Sequence, residues 1–154
     1  MNLGNLNKII VLQGRPNTGK TTILNEVCRQ LRQSPLVSNF NQADIEPSRT
    51  SNGDQRFLIT YTGNKVIAVV TAGDDADCIM KGFLYAEVKR ANVLVCALSN
   101  QARGYRTAER IFKEIESWHK LSPLIDSSQK TRFRQNAPVG YADQTIVANI
   151  INKI

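Results

Sequence analysis

The sequence is poor in cysteine, histidine and aromatic side chains, and each shortage excludes a class of protein. Three cysteines occur among 154 residues, and no two form a CxxC pair, which argues against a disulfide framework or a zinc site and favours the reducing cytoplasm. The single histidine, His119, supports neither a metal-ligand cluster nor a Ser-His-Asp set. We expect it at a helix end, near terminal carbonyl groups. Aromatic residues make up 6%, so the core should be aliphatic.

Long apolar runs are missing as well. No stretch reaches the roughly 18 apolar residues of a membrane-spanning helix, and the first residues lack the basic start and apolar run of a signal peptide. The net charge of +7 is spread along the chain, which favours a polyphosphate ligand over nucleic acid. We therefore predict one cytoplasmic domain, residues 1–154, with no membrane partner.

Apolar runs and amphipathic segments alternate along the chain. Buried strands are predicted at 7–13, 65–71 and 92–98, shorter strands at 36–40, 57–61 and 121–125, and helices at 21–32, 78–90, 107–120 and from 143 onward. Gly63-Asn64 predicts an antiparallel hairpin. The alternation predicts an α/β fold, a three-layer sandwich with a mostly parallel central sheet. Because ligands bind at the carboxyl ends of parallel strands, the loops at 14–21, 72–77 and 99–106 are expected to meet.

The segment Gly14-Arg15-Pro16-Asn17-Thr18-Gly19-Lys20-Thr21 matches the pattern GxxxxGK[ST] at every position. Its glycines let backbone N–H groups point at an anion, and the following helix adds N–H groups and a positive dipole end. Lys20 is predicted to reach the β- and γ-phosphates, and the Thr21 hydroxyl to bind Mg²⁺; Thr22 completes the predicted binding set. With its strand and helix, the segment resembles the P-loop nucleoside triphosphatase superfamily, and the resemblance covers the whole strand–helix order.

Members of that superfamily carry an acid at the end of a second apolar strand, where it orients Mg²⁺ through water. Thr71 stands at that place here, and acids follow at Asp74, Asp75 and Asp77. The resemblance implies that Asp74, or else Asp75, serves the metal. Alternatively, Asp75 or Asp77 is a helix N-cap, a position that Asp favours. The departure at Thr71 argues against fast hydrolysis but not against nucleotide binding.

The strand pair that leads into "TAGD" (71–74) is similar to small GTPases, in which a hairpin precedes a "DTAG" turn. Those proteins select guanine with an Asn-Lys-x-Asp motif after the next strand. Asn100-Gln101-Ala102-Arg103 stands there instead, and an arginine cannot accept hydrogen bonds from guanine. We therefore predict ATP rather than GTP. The following stretch, "NVLVCALSNQARG", is also similar to small bacterial ATP-binding proteins of poorly defined function.

The size and the loop are similar to small-molecule and nucleotide kinases too. Arg103 and Arg106, or Arg132 and Arg134 as a late lid, could stabilise a transferring phosphate, with solvated surface as the alternative for all four. Asp44 is the one candidate base toward an acceptor.

We predict ATP hydrolysis with Mg²⁺ first and phosphoryl transfer second, with Lys20, Asp74 and Arg103 as catalytic residues. A third hypothesis is a nucleotide-gated binding module in which the 41–56 loop and the 72–77 turn respond to the γ-phosphate. A nucleic-acid-stimulated ATPase is a fourth.

Overall fold

A computed structural model describes residues 4–14, 19–44, 55–72, 76–99, 105–113, 115, 117–121 and 144–154. The strands are β1 (Lys8–Gly14), β2 (Val37–Asp44), β3 (Gln55–Tyr61), β4 (Val66–Val70), β5 (Val93–Ser99) and β6 (Ser117–Leu121). The helices are α1 (Lys20–Arg32), α2 (Ala76–Val88), α3 (Tyr105–Lys113) and α4 (Gln144–Lys153). The predicted alternation of strands and helices is confirmed.

The strands form one six-stranded sheet in the order β2-β3-β4-β5-β1-β6. Strands β4, β5, β1 and β6 run parallel, and β2 and β3 add an antiparallel extension beyond β4. Strand β5 is buried along its whole length, as expected of a central parallel strand covered on both faces. It lies between β4 and β1, so the phosphate-loop strand and the "TAGD" strand are not direct neighbours.

The two faces of the sheet carry separate apolar clusters. On one face, which we call the α1 face, Ile10 and Leu12 of β1 and Val95 of β5 pack with α1 and α4. On the other, the α2 face, Ile9 and Val11 pack with α2 and α3. Successive side chains of a strand point to opposite faces. The face of each remaining side chain therefore follows from its place in the strand.

The predicted hairpin connects β3 to β4. Its turn residues Gly63 and Asn64 have φ of 101° and 69°, a left-handed conformation that glycine and asparagine tolerate. The Tyr61 N–H donates to the Lys65 carbonyl at 2.8 Å and closes the turn. Strand β2 is longer than predicted and reaches Asp44, and β3 begins at Gln55, so both ends of the loop expected over 41–56 belong to strands; residues 45–54 lie outside the described residues.

The prediction of a helix over 107–120 is wrong in its second half. Helix α3 ends at Lys113, and residues Ser117–Leu121 form β6, which pairs with β1. The apolar residues keep helical spacing through Trp118, yet Trp118 is the sheet partner of Ile9. A short apolar run does not distinguish helix from strand by its period. Here the backbone groups on the open side of β1 require partners, and β6 supplies them.

His119 consequently lies in β6 opposite Ile10, not at a helix end as predicted. Its Nε2 is 3.1 Å from the Ser117 hydroxyl oxygen. Partial burial lowers the pKa of His119, and the nearby charges of Lys153 and Lys8 lower it further.

Side-chain hydrogen bonds join the amino-terminal ends of the parallel strands. The Asn92 carboxamide oxygen accepts from the Val66 N–H at 2.9 Å, and its backbone carbonyl accepts from the Lys8 N–H at 3.2 Å. The Lys8 ammonium donates to the Lys153 carbonyl at 2.8 Å, and Lys65 donates to the carbonyl of Ile154. Cations at these carbonyls stabilise the end of α4.

Candidate functional site

The carboxyl ends of β4, β5, β1 and β6 share one edge of the sheet, which we call the carboxyl edge. The segments after β1, β4 and β5 all leave this edge, because the three strands are parallel. The prediction that the three segments leave the same edge is thereby confirmed; whether they meet stays a prediction, because residues 15–18, 73–75 and 100–104 lie outside the described residues. The structure describes these members of the predicted site: Gly14, Gly19, Lys20, Thr21 and Thr22. The others lie outside the described residues: Arg15, Pro16, Asn17, Thr18, Asp74, Asp75 and Arg103.

Lys20 is the first residue of α1, and its side chain is 6% exposed. Its ammonium donates to the Gly14 carbonyl at 3.1 Å. A buried cation is costly without partners, so this contact holds the charge at the point where the loop leaves β1. The two ends of the phosphate loop are thus joined through one side chain.

Gly19 is the N-cap of α1 and has a left-handed backbone, with φ of 87° and ψ of 15°. A Cβ added at this position would meet no atom within 4 Å. The glycine is therefore required by the backbone dihedral and not by lack of space. This conformation turns the chain from the loop into the helix, and the Gly19 carbonyl accepts the first helical bond from Ile23 at 2.9 Å.

The amino terminus of α1 is suited to an anion. Gly19 supplies no side-chain cap, and the first turn contains no acidic residue. The N–H groups of this turn and the helix dipole favour a negative ligand, and Lys20 adds a full positive charge.

The same turn fits a phosphate-borne Mg²⁺. Thr21 supplies one hydroxyl oxygen, the ligand type that Mg²⁺ prefers. Among the residues that the structure describes, no group of three His, Cys, Asp or Glu side chains could hold a metal. The Thr21 hydroxyl suits a Mg²⁺ that arrives with the phosphates and takes few protein ligands.

Buried polar side chains of the described residues concentrate at the carboxyl edge. They are Gln13, Lys20, Thr71 and Ser99, each at most 8% exposed. Buried polar groups are costly in an apolar core, and none of these four lies in the middle of the sheet or at its amino-terminal edge. Their placement marks this edge as a polar site within an otherwise aliphatic sandwich.

Thr71, where the sequence comparison expects an acid, fastens two strands together. Its hydroxyl accepts from the Gln55 N–H at 2.9 Å and lies 3.2 Å from the Gln55 carbonyl oxygen, to which it can donate. The Thr71 N–H also donates to that carbonyl at 3.0 Å. Gln55 directly follows segment 45–54, and Thr71 shortly precedes segment 73–75; neither segment is among the described residues. One residue thus connects the ends of the two segments that were predicted to respond to nucleotide.

Ser99 is a site residue that the sequence analysis missed. It is the last residue of β5, is 1% exposed and is the register partner of Gly14. The signal was present in the sequence as a single polar residue at the end of the apolar run "NVLVCAL". Its significance depends on β5 being the direct neighbour of β1, which the sequence does not reveal.

The remaining candidates are not brought to the loop by the described structure. Arg106 is exposed on α3. Asp77 lies in α2 and Asp44 ends β2, and their side chains are not among those described. Arg132 and Arg134 lie outside the described residues.

Fold and loop together define a P-loop nucleoside-triphosphate-binding protein. A family model described as "50S ribosome-binding GTPase" matches residues 9–126, and the chain belongs to this family. The chain is similar to GTPase Der of Saccharophagus degradans, with 29% identity over 109 residues. That match covers 66% of this chain and 23% of the relative, so the chain corresponds to about a quarter of the relative's length. No solved structure matches.

Membership of this family supports a nucleotide-binding hydrolase. It gives no support to the predicted phosphotransferase alternative. No helix in the described ranges is long and apolar enough to cross a membrane.

Proposed function

We propose that the chain binds GTP with Mg²⁺ at the carboxyl edge and hydrolyses the bond to its γ-phosphate. One observation carries the proposal. The buried Lys20 ammonium is held on the Gly14 carbonyl, at the amino terminus of a helix that has no acid in its first turn. The three cysteines are free thiols, in keeping with a cytoplasmic location.

GTP replaces the ATP of the sequence prediction. The family match supports guanine, whereas the argument for ATP rested on Arg103 in the segment after β5. The sequence analysis placed the last strand at 121–125 and assigned 117–120 to a helix, whereas β6 spans Ser117–Leu121. Strand β6 is parallel to β1 and ends at Leu121, the partner of Leu12. The residues from 122 onward therefore also leave the carboxyl edge next to the loop, and a guanine acceptor can come from them.

The described residues divide the work of holding the triphosphate. The Lys20 ammonium moves from the Gly14 carbonyl to the β- and γ-phosphates, and the N–H groups of the first turn of α1 surround the β-phosphate. Thr21 would hold Mg²⁺ through its hydroxyl oxygen, and the metal would offset negative charge on the phosphates. Asp74, with Asp75 as the alternative, is proposed to orient a metal-bound water, and Arg103 to stabilise charge on the γ-phosphate.

A nucleotide-controlled switch is the second candidate, and the Thr71 contacts favour it. Thr71 joins Gln55 to the end of β4. A displacement of residues 73–75 would therefore move Gln55, which directly follows segment 45–54. A switch of this kind also needs hydrolysis to reset it, so the two candidates share one binding site.

Nucleotide binding and phosphate release test the proposal directly. We expect Mg²⁺-dependent binding of GTP in preference to ATP, followed by release of inorganic phosphate. Lys20→Ala should weaken GTP binding roughly tenfold to a hundredfold, as expected for a lost hydrogen bond to a charged group. Lys89→Ala is the matched control, since Lys89 is an exposed lysine beyond the end of α2.

Three results bear on the alternatives. Equal loss in Lys20→Ala and Lys89→Ala would mean that the protein attracts nucleotides only by its net charge. A preference for ATP over GTP would contradict the GTP proposal and support the sequence prediction of ATP. Tight GTP binding without phosphate release would exclude the hydrolase and leave a nucleotide-binding switch as the candidate function.

A further inference from the structure

Strand order determines which side chains lie nearest the phosphate loop. Strand β1 has β5 on one side and β6 on the other, and β4 is one strand further away. Neighbouring strands are about 4.8 Å apart, so β4 lies roughly 10 Å from β1. Among the described strand ends, the end of β5 is therefore closer to the loop than the end of β4, where the superfamily comparison places its acid.

Ser99 is the polar residue at the end of β5. It is the register partner of Gly14, whose carbonyl accepts from the Lys20 ammonium. The pairs Ile10–Val95 and Leu12–Ala97 precede the pair Gly14–Ser99 in the same register. Ile10, Leu12, Val95 and Ala97 all belong to the α1 face. Alternation along the strands therefore places Ser99 on the α1 face, the face on which the phosphate loop leads into α1.

Burial supports a specific role for this hydroxyl. Ser99 is 1% exposed and follows six buried apolar residues of β5. A serine hydroxyl can rotate to donate to one partner and accept from another. It is therefore able to turn toward an anion that Lys20 holds beside Gly14.

We propose that the Ser99 hydroxyl donates a hydrogen bond to the γ-phosphate of the bound nucleotide and so distinguishes GTP from GDP. The inference rests on the proposed function, because it needs a triphosphate on the loop. It adds a contact from β5 to those from α1. In this proposal the amino terminus of α1 holds the β-phosphate and Ser99 contacts the γ-phosphate alone, so GDP binding should not depend on this residue.

Affinities for two nucleotides test the inference in the intact chain. The probes are fluorescent GDP and a fluorescent non-hydrolysable GTP analogue, each titrated in Mg²⁺ buffer. Ser99→Ala should lower the affinity for the GTP analogue roughly tenfold to a hundredfold. It should change the affinity for GDP less than about twofold. Ser99→Cys, of similar size, should fall between the wild type and Ser99→Ala. The matched control is Ser117→Ala. Ser117 lies on β6, the other neighbour of β1, at the amino-terminal end of the strands, where it pairs with Lys8. This variant should change neither affinity.

The ratio of the two affinities separates a phosphate contact from a structural role. Equal weakening of both nucleotides by Ser99→Ala, or no change in either, would overturn the inference even if the protein binds GTP well. A wild type that binds neither probe, or a Lys20→Ala variant that binds both as well as the wild type, would instead overturn the proposed function. A thermal melt of each variant in the absence of nucleotide accompanies the titrations, and the ratio is compared at a temperature where all variants are folded.

Discussion

Replacing Gly19 with alanine isolates the cost of the backbone turn at the start of α1. A Cβ at Gly19 meets nothing within 4 Å, so no steric clash is expected. The φ of 87° is left-handed, and a residue with a Cβ loses about 1–2 kcal/mol in that conformation. Unfolded-chain entropy favours alanine, but only where the native dihedrals suit it. We therefore expect Gly19→Ala to lower the free energy of unfolding by about 1–2 kcal/mol, or the Tm by about 2–8 °C.

Gly63→Ala is a control for the same conformational effect away from the nucleotide. Gly63 also has positive φ, at 101°, and open space around its Cβ position, and it lies in the β3–β4 turn. Urea unfolding without nucleotide should give similar losses for both variants. Nucleotide titration should then separate them, because only Gly19→Ala tilts the N–H groups that face the phosphates.

The variant Gly19→Asn tests whether the positive φ of residue 19 causes the loss of stability. Asparagine tolerates the left-handed region, so Gly19→Asn should be more stable than Gly19→Ala despite its larger side chain. If asparagine is the more damaging of the two, space and not the dihedral limits this position, and the argument from φ is refuted. An unchanged free energy of unfolding in Gly19→Ala would refute it as well.

Two further predictions follow from contacts at the two edges of the sheet. Thr71→Val keeps the shape of the side chain but removes the acceptor of the Gln55 N–H, so it should lower the free energy of unfolding by about 1–3 kcal/mol. Thr71→Ser keeps the hydroxyl and should lower it less. Equal losses for the two variants in urea unfolding would contradict this role for the hydroxyl. Burial, Lys153 and Lys8 depress the pKa of His119 below its usual 6.5, so the unfolded chain binds the proton more readily. Stability should therefore fall as pH drops below about 6.5, and the slope between pH 7 and 5 should be shallower in His119→Gln; identical slopes in the two proteins would exclude His119 as the cause.

The parts of the fold that the sequence predicts are those with local signals. The strand–loop–helix unit around Lys20 combines an apolar run, glycines at fixed spacing and an amphipathic helix. The hairpin is marked by Gly63-Asn64, a pair suited to positive φ at both residues. In each case the deciding interactions lie within a few residues of one another. Boundaries of these elements agree with the structure to within two residues.

Long-range pairing explains what the sequence did not predict. The segment around Trp118 continues the helical spacing of α3, and only the open side of β1 makes it a strand. Similarly, Thr71 and Ser99 are ordinary polar residues until the strand order places Gln55 beside one and Gly14 beside the other. The ATP prediction has a related limit, because it compared only the segment after β5 with the guanine motif and did not place the end of the last strand beside β1.

The position of β5 between β1 and β4 bears on the proposed nucleotide-controlled switch. A phosphate on the loop after β1 and the turn after β4 are separated by two strand spacings, roughly 10 Å, more than a hydrogen bond spans. The route along the sheet edge from the phosphate loop to the segment between β2 and β3 crosses the end of β5. Ser99 stands at the first step of that route, and Thr71, bonded to Gln55, stands at the second. The carboxyl edge thus holds both the proposed binding site and the contact between Thr71 and Gln55, so a substitution at Thr71 should change that contact while the nucleotide stays bound.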